Sequence, residues 1–399
     1  MPGFEIFGDE ERNEIKDALD SGVLFRYGFD GKRNGNWKVK QFESDFAAFT
    51  NTKHSLLVSS GTAALITALS ASGIGYGDEV IVPTFTFVAT IEAVLNNGAI
   101  PIFVDIDETL CLDPEKIESY INPRTKAIVV VHMCGAMAQI DKIKQIAEKY
   151  NLILIEDACQ ATGAFYEGKS VGTFGNIACF SFDAVKTITC GEGGGIITND
   201  SQLYQLCDQF HDHGHDHIGN DRGAEQHPIV GMNFRNNELN ASIGIAQLKK
   251  INTILNIQRR NAYKIIATLQ EFKQVQLRKT LSKEADTCTF VNFFLTSEDL
   301  TRKIAKELIA NGIDGTFYWF DNNWHYFNNW QHIKNLNFPM NVPQTSLEYL
   351  PDYNSLVFEQ SDDIMSRTIS LQIKLSWTES ELQNRCKTIR DIFTSCGIK

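Results

Sequence analysis

The sequence predicts an α/β protein built on a mostly parallel β-sheet with helices on both faces. Short apolar runs of strand length, such as 79–82 and 127–131, recur through the first half of the chain. Helical patterns such as 61–72 and 139–150 separate these runs. Strands that are buried on both faces and alternate with helices are typical of parallel sheets covered by two helical layers.

Local patterns predict each element of the first half. The acidic, amphipathic segment 9–21 predicts a helix that ends near Gly22, because glycine favours the left-handed conformation found at helix C-termini. Segments rich in β-branched residues predict strands, and amphipathic or small-residue segments predict helices. In chain order these are helix 41–49, strand 54–58, helix 61–72, strand 79–82, helix 88–96, strand 101–104, a helix start after Asp105, strand 127–131, helix 139–150 and strand 152–155.

The second half is less regular. Glycines punctuate the segment 163–182 and predict hairpins there. A helical pattern over 238–272, broken or bent inside, leads to a second domain. The length of 399 residues suits a large domain over 1–250 and a smaller α/β domain over 251–399. The remaining predicted segments are strand 195–198, a histidine-rich loop over 211–229, strand 288–295, helix 299–311, an aromatic loop over 317–330, strand 368–371 and helix 378–394.

Composition excludes several functional classes. The net charge of −12 disfavours non-specific binding to nucleic acid and to anionic membranes. No apolar run is long enough to span a bilayer, and the N-terminus lacks the pattern of a signal peptide. The nine cysteines are scattered and odd in number, which indicates reduced thiols. We therefore expect a cytoplasmic protein with neither nucleic acid nor membrane as a partner.

Three features follow one another in the order expected of a cofactor site. Ser59–Thr62 joins a strand to a helix whose N-terminus suits a phosphate, although an ordinary serine N-cap explains the same residues. Asp157, next to Glu156 at the end of an apolar strand, suits a protonated ring nitrogen or a capped turn. Lys186 precedes a glycine cluster, and a partly desolvated lysine can form a Schiff base, although most lysines are surface residues.

The chain resembles the DegT/DnrJ/EryC1/StrS family of sugar aminotransferases from about residue 5 to 250, and more weakly beyond. This resemblance implies the aspartate aminotransferase architecture of fold type I, with a three-layer α/β/α large domain, a smaller α/β domain and pyridoxal 5'-phosphate as cofactor. The segments that carry it are SSGTAAL (59–65), PTFTFVAT (83–90), PIFVDID (101–107), INPRTKAIVVVHMCG (121–135), LIEDACQATGA (154–164), VGTFGNIACFSFDAVKTITCGEGGGIIT (171–198) and GMNFRNNELNA (231–241).

The resemblance also implies roles around the cofactor ring. Lys186 would bind the cofactor covalently and move protons during the reaction. Asp157 would pair with the pyridine nitrogen and Gln160 with the phenolic oxygen. Phe87 would stack on the ring, where a flat apolar surface is needed.

The phosphate end of the cofactor would be bound by other residues. Gly61 and Thr62 would donate backbone N–H groups, and Ser181 its hydroxyl. Asn233 would reach the phosphate bound by the partner subunit. The resemblance therefore implies a homodimer with shared active sites.

One position departs from the pattern of many relatives. Asp183 stands three residues before the lysine, where many relatives carry histidine, which affects the expected substrate contacts. A minority branch of the family replaces the lysine with histidine and dehydrates sugars. The presence of Lys186 argues against that branch, so we expect transfer of an amino group from glutamate to a carbonyl sugar.

Three other motifs admit alternative interpretations. The segment 163–170 matches the P-loop pattern GxxxxGK[ST], but the residues after it are strand-like and a hairpin turn explains it better. The alternating histidines of 211–217 suit a metal site, a solvated loop or a substrate entrance, of which we favour the last. The aromatic stretch 317–330 suits domain packing or a wall that faces the sugar. Cys134 and Cys190 are expected to be packing residues.

The most specific prediction concerns the identity of the acceptor sugar. The loop HDHGHDHIG and the segment NNWHY resemble the branch that makes 8-amino-3,8-dideoxy-manno-octulosonate, a lipopolysaccharide precursor, from an 8-aldehydo octulosonate. Its carboxylate would suit cationic groups. The candidate substrate residues are His213, His215, Arg235, Trp324 and His325. The alternative acceptor is a nucleotide-linked 4-keto-6-deoxy sugar, and the other functional classes are a cofactor-dependent sugar dehydratase and a regulator without catalysis.

Overall fold

The central sheet has seven strands in the described part of the chain, which in this computed structural model covers residues 3–219, 221–339, 341 and 348–398. Strands β6 and β7 form a separate hairpin. The first nine strands are β1 (His54–Val58), β2 (Glu79–Pro83), β3 (Ile100–Val104), β4 (Thr125–Val131), β5 (Ile153–Asp157), β6 (Phe165–Tyr166), β7 (Lys169–Ser170), β8 (Ile177–Ser181) and β9 (Gly194–Thr198).

The strand order across the large sheet is β1-β9-β8-β5-β4-β2-β3. Strand β9 runs antiparallel to both of its neighbours, and the other strands run in one direction. The predicted α/β class with a mostly parallel sheet is therefore confirmed. In such sheets, ligands bind beyond the carboxyl ends of the parallel strands.

Helices cover both faces of this sheet. Alternate side chains of one strand enter different cores. Val130 belongs to a core that includes residues of helices 38–50, 140–150 and 238–269, whereas Val129 belongs to a core that includes residues of helices 61–71, 89–96 and 201–210. This alternation follows from the two-residue period of a β-strand. The helices are α1 (Asp9–Ser21), α2 (Lys38–Thr50), α3 (Gly61–Ala71), α4 (Ala89–Asn96), α5 (Pro114–Ile117), α6 (Ile140–Tyr150), α7 (Ser201–Phe210) and α8 (Glu238–Leu269).

Helix α8 connects the two sheets. It runs for 32 residues without the predicted break, and residue 250 lies inside it. Its first half packs on α1 and α2, and its last turns contribute Ala262, Ile265 and Leu269 to a third core. Continuous burial of one face explains why the helix needs no interruption. The division into domains at residue 250 stays a prediction.

A second, antiparallel sheet has the order β10-β11-β13-β12. Its strands are β10 (Gln276–Leu277), β11 (Phe290–Phe294), β12 (Thr316–Phe317) and β13 (Thr368–Gln372). The segment between β12 and β13 returns to the large sheet, where Phe327, Trp330 and Tyr353 are buried against it. The later helices are α9 (Glu298–Ala310), α10 (Gln331–Lys334), α11 (Glu359–Ser366) and α12 (Glu379–Ser395).

The hairpin prediction for the P-loop-like motif is confirmed. Phe165–Tyr166 pairs with Lys169–Ser170 across a turn in which Glu167 and Gly168 both have positive φ. A P-loop needs a helix directly after its glycine-rich loop, and here a strand follows instead. Within the described residues, no helix is both long and apolar enough to cross a membrane.

Candidate active site

A cavity of about 640 Å³ opens at the carboxyl ends of the parallel strands, with residues of the second sheet on its far side. Most of the sequence-predicted site residues line this cavity. They are Gly61, Thr62, Phe87, Asp157, Gln160, Ser181, Lys186, Trp324 and His325. Topology brings them together, since they come from six separate stretches of the chain.

The N-terminus of α3 forms one end of the cavity. Ser60 is the N-cap, and its hydroxyl accepts a hydrogen bond from the Ala63 N–H at 3.0 Å. A Cβ on Gly61 would lie 2.9 Å from the Ser181 Cβ, and one on Gly194 would lie 2.0 Å from the Ser60 carbonyl oxygen. Glycine is therefore required at both positions. The free N–H groups of this helix end provide a site for a phosphate.

Asp157 ends β5 at the floor of the cavity. Its carboxylate accepts hydrogen bonds from the Thr90 hydroxyl at 2.8 Å and from the Cys159 N–H at 3.1 Å. The residue is 5% exposed. These bonds fix the carboxylate in place, where it can bind a cationic ring nitrogen.

The neighbouring Glu156 points to the opposite face of the sheet. Its carboxylate accepts hydrogen bonds from the N–H groups of Gly172, Phe174 and Gly175 at 2.6–2.9 Å, and it contacts His132 Nε2 at 2.9 Å. This residue therefore anchors the loop before β8. Only Asp157 of the predicted carboxylate pair lines the cavity.

Gln160 has a fixed amide orientation. Its Oε1 accepts a hydrogen bond from the Cys134 N–H at 3.0 Å, so its Nε2 remains a donor at the cavity that the residue lines. Cys134 is buried and has a φ of 53°. An anionic oxygen of a bound molecule would be a suitable acceptor for the Gln160 Nε2.

Lys186 lies in the loop between β8 and β9. Its N–H donates to the Asp183 carbonyl at 3.1 Å, and its carbonyl accepts a hydrogen bond from the Gly3 N–H at 2.9 Å. A Cβ on Gly3 would lie 2.9 Å from the same Lys186 oxygen. The N-terminal segment therefore packs closely against the loop that carries the lysine.

Aromatic side chains form the outer wall of the cavity. The segment around His325 pairs with the β2–α4 connection, through Thr86 N–H to the His325 carbonyl at 3.0 Å and Val88 N–H to the Trp324 carbonyl at 2.9 Å. The His325 ring lies 4.5 Å from Trp319 and 5.4 Å from Phe87 between ring centroids. Burial lowers the pKa of His325 to about 3, so this side chain is neutral at pH 7.

The other predicted residues lie elsewhere. Asn233, His213, His215 and Arg235 belong to the loop after α7 and do not line the cavity of their own chain. Arg235 donates to the buried carboxylate of Asp212. Their expected contacts with the substrate or with a neighbouring phosphate would therefore have to be made between subunits.

Cations surround Asp212 in this loop. Its carboxylate contacts His217 Nε2 at 3.0 Å and Arg222 at 2.9 Å, as well as Arg235. Burial acts to raise the pKa of Asp212, but the hydrogen bonds from these groups outweigh it and lower the pKa. The loop is therefore an ordered network of ion pairs in its described residues.

Sequence reasoning missed several residues that line the cavity or fix its groups. Thr90 orients Asp157, and its only signal was its place in the segment PTFTFVAT. The aromatic density of 317–330 predicted an aromatic wall there, but it did not single out Trp319. Phe290 and Gln372 come from the second sheet, and no local motif identified them, whereas Phe317 of the same sheet is the first residue of the aromatic stretch 317–330.

These groups fit pyridoxal phosphate. The glycine-lined helix end suits its phosphate, Asp157 suits its ring nitrogen, and the amine of Lys186 suits its aldehyde. The Gln160 Nε2 suits its phenolic oxygen. Phe87 offers a flat, half-exposed apolar surface at the same cavity.

Known proteins with similar sequences and structures agree with this chemistry. Residues 6–390 match the model of the DegT/DnrJ/EryC1/StrS aminotransferase family. The chain is 37% identical over 288 residues to a GDP-perosamine synthase of Vibrio cholerae. The aligned region covers 72% of this chain and 74% of that protein.

Two solved structures are similar over nearly the whole chain. Helicobacter pylori PseC, an aminotransferase involved in the biosynthesis of pseudoaminic acid, has a TM-score of 0.82 at 25% identity, covering 98% of this chain and 97% of PseC. An aminotransferase from Psychrobacter cryohalolentis has a TM-score of 0.85 at 27% identity, covering 98% of each chain. The chain therefore belongs to the DegT/DnrJ/EryC1/StrS family and is a pyridoxal-phosphate-dependent sugar aminotransferase of fold type I.

Proposed function

We propose that this enzyme transfers an amino group from glutamate to 8-aldehydo-3-deoxy-octulosonate, giving 8-amino-3,8-dideoxy-manno-octulosonate for lipopolysaccharide. The single observation that carries the transaminase chemistry is the common cavity of Lys186, Asp157, Gln160 and the N-terminus of α3.

Each residue has a distinct task in the proposed mechanism. When bound, pyridoxal phosphate supplies an aldehyde that reacts with amines and a ring that accepts electrons. The Lys186 Nζ would hold the cofactor at rest and, once the amino donor has taken its place, would accept the donor's α-proton as a general base and then give it up as a general acid. Asp157, fixed by Thr90 and the Cys159 N–H, keeps the ring nitrogen protonated. The same residues act in reverse on the sugar carbonyl.

The shape of the outer wall supports a small acceptor. Trp319, Trp324 and the neutral His325 close one side of a cavity that has to hold both the cofactor and the reacting end of the sugar. A volume of about 640 Å³ suits the cofactor with an eight-carbon sugar acid better than with a sugar that carries a nucleoside diphosphate. Flat aromatic faces also suit the C–H surfaces of a sugar.

The carboxylate of the octulosonate needs a cation. Lys186 is the cationic side chain among the described residues that line the cavity, and it is committed to the cofactor. We therefore propose that Arg235 supplies this cation from the partner subunit of a homodimer, while the exposed His213 and the neighbouring His215, whose pKa burial lowers, reach the acceptor as hydrogen-bonding groups. Asn233, also exposed, would reach the cofactor phosphate in the same way.

The second candidate acceptor is a nucleotide-linked 4-keto-6-deoxy sugar. The observation that favours it is the similarity to proteins named GDP-perosamine synthases, which includes the 37% identity to the Vibrio cholerae protein. The nucleotide of such an acceptor would have to lie outside the cavity. The two candidates differ in the group that needs a cation: a carboxylate in the octulosonate and a diphosphate in the nucleotide-linked sugar.

One experiment tests the chemistry and the acceptor in sequence. The purified holoenzyme is mixed with glutamate, and loss of the visible absorbance band of the cofactor is followed. The octulosonate aldehyde and a nucleotide-linked 4-keto-6-deoxy sugar are then added separately. We expect the band to return with the octulosonate and mass spectrometry to find the aminated sugar. Return of the band only with the nucleotide-linked sugar would reject the octulosonate.

Two controls separate other functional classes. Borohydride reduction should leave a pyridoxyl adduct on the Lys186 peptide, and Lys186→Ala should lose both the adduct and the amine product. A dehydratase would release a deoxy ketone with no nitrogen. A regulator without catalysis would keep its biological effect in Lys186→Ala.

We also propose that the enzyme works in the cytoplasm. Its nine cysteines carry free thiols, and six of them are buried in the hydrophobic cores. An oxidising compartment would favour a disulfide framework instead. Fractionation of the source cells, followed by antibody detection, tests this location.

A further inference from the structure

The peptide group between Met133 and Cys134 connects Gln160 to Arg278, which follows β10 of the second sheet. Its N–H belongs to Cys134 and donates to Gln160 Oε1 at 3.0 Å. Its C=O belongs to Met133 and accepts a hydrogen bond from an Arg278 guanidinium N–H at 2.7 Å. One rigid, planar unit therefore has an arginine at one end and the Gln160 amide at the other.

Arg278 reaches this peptide from the residue that follows β10. Its backbone N–H pairs with the Asn292 carbonyl at 3.0 Å, and its side chain is 8% exposed. The guanidinium also donates to the carbonyls of Thr109 at 2.6 Å and Cys134 at 3.5 Å, and it contacts the Cys111 sulfur at 3.4 Å. Its planar geometry suits several acceptors at once.

The backbone at this turn is strained. Cys134 has φ 53° and ψ 33°, a left-handed conformation that costs energy in a residue with a Cβ. Rotation of the Met133–Cys134 peptide by half a turn would give Cys134 a negative φ and so remove the left-handed conformation. It would also aim the Met133 carbonyl at Gln160. The bond from Arg278 opposes this rotation because it holds the carbonyl on the far side.

Other contacts hold the residues beyond this peptide. Thr287 N–H donates to the Gly135 carbonyl at 2.9 Å, and Ala136 forms an isolated antiparallel bridge with Asp286. A Cβ on Gly135 would lie 2.2 Å from the Thr289 hydroxyl oxygen. These contacts fix where the turn lies. The strong hydrogen bond from Arg278 to Met133 decides which way its first peptide faces.

We propose that Arg278 is a positioning residue that sets Gln160 as a hydrogen-bond donor to the cofactor. With the peptide as observed, Gln160 Oε1 faces the Cys134 N–H and Nε2 is available to the phenolic oxygen. With the peptide reversed, Gln160 would have to present Oε1 to that oxygen, and two acceptors would meet. The inference rests on the proposed contact between Gln160 and the cofactor.

Arg278→Met tests this arrangement because it removes the donor and keeps an unbranched apolar side chain. We expect the dissociation constant of pyridoxal phosphate to rise about tenfold, as for loss of a hydrogen bond to a charged group. The pH midpoint of the visible band should move upward, since an anionic phenolic oxygen loses a donor. Crystals of the variant should show the Met133 carbonyl turned towards Gln160.

Cys134→Gly supplies the rescue. Glycine tolerates positive φ, so this substitution removes the strain that drives the reversal. In the Arg278→Met background it should restore most of the affinity and the spectral midpoint, and alone it should bind the cofactor like the wild type. Arg385→Met is the matched control, because Arg385 is as buried as Arg278 and also donates to a backbone carbonyl, that of Asp314, yet does not touch the turn.

Wild-type affinity and spectral midpoint in Arg278→Met would overturn the proposal. The proposal would also be overturned if the loss of cofactor affinity accompanied a lower melting temperature and Cys134→Gly did not restore it. Arg278 would then be a purely structural residue. Affinity and spectrum are measured with cofactor alone. Failure of the enzyme to aminate any sugar would therefore reject the proposed function without affecting this test.

Discussion

At the scale of single residues, Asp157 gives the sharpest test of the cofactor site. Asp157→Asn keeps the size of the side chain and removes the charge that would hold a protonated ring nitrogen. We expect the half-reaction with glutamate to slow by at least about 100-fold, a size typical of lost electrostatic stabilisation. Stopped-flow absorbance measures this rate. Thr90→Val, which removes one hydrogen bond to the carboxylate and keeps its charge, should slow it much less; equal losses would contradict the charge argument.

His217 makes the stability of the protein depend on pH. Burial acts to lower its pKa, but hydrogen bonds to Asp208 and Asp212 outweigh burial and raise the pKa from 6.5 to about 9. Between these values the folded protein holds a proton that the unfolded chain has lost, so stability falls as pH rises through the window. The stability at stake is about 3 kcal/mol, since each unit of pKa is worth about 1.4 kcal/mol.

Calorimetry of the wild type and His217→Gln across this window measures the effect. The melting temperature of the wild type should fall more steeply from pH 6.5 to about 9 than that of the variant, which lacks the titrating ring. Parallel curves would show that His217 does not titrate there.

At the scale of elements, the contact of β9 with the N-terminus of α3 shapes the phosphate site. Gly194→Ala places a Cβ 2.0 Å from the Ser60 carbonyl oxygen, so the strand and the helix end have to move apart. We expect a loss of about 1–3 kcal/mol of stability and weaker cofactor binding. Denaturant unfolding and cofactor titration measure both. Gly31→Ala is the control, since a Cβ there meets no atom within 4 Å, and cofactor binding should stay unchanged.

At the scale of the whole molecule, the proposed homodimer predicts complementation between inactive variants. If each active site combines Lys186 of one subunit with Asn233 of its partner, Lys186→Ala and Asn233→Ala each inactivate both sites of the homodimer. Hybrid dimers formed by mixed refolding should regain activity that neither variant has, because one site then contains both wild-type residues. Activity is measured alongside mass by analytical ultracentrifugation. An absence of regained activity in confirmed hybrids would indicate that each subunit supplies its own Asn233.

Local patterns predicted most elements of the large sheet to within a residue or two. Strand 54–58 matches β1, and the helix predicted over 9–21 ends at Gly22 in the left-handed conformation. These predictions succeeded because two-residue and 3.6-residue periods record which faces are buried. The segment 238–272 was predicted to be broken or bent, and α8 has no break, since packing against two successive cores stabilises it along its whole length.

The sequence by itself determined the fold class and the family, and it predicted the chemistry of Lys186 and Asp157, because these depend on short motifs with fixed spacing. Only the tertiary structure showed that Glu156 and Asp157 have different surroundings, because the pleat of β5 turns their side chains to opposite faces of the sheet. It alone brought Thr90 to Asp157 and the guanidinium of Arg278 to the peptide that faces Gln160. These contacts join residues 67 to 145 positions apart, and no local pattern records a pairing made by the packing of separate elements.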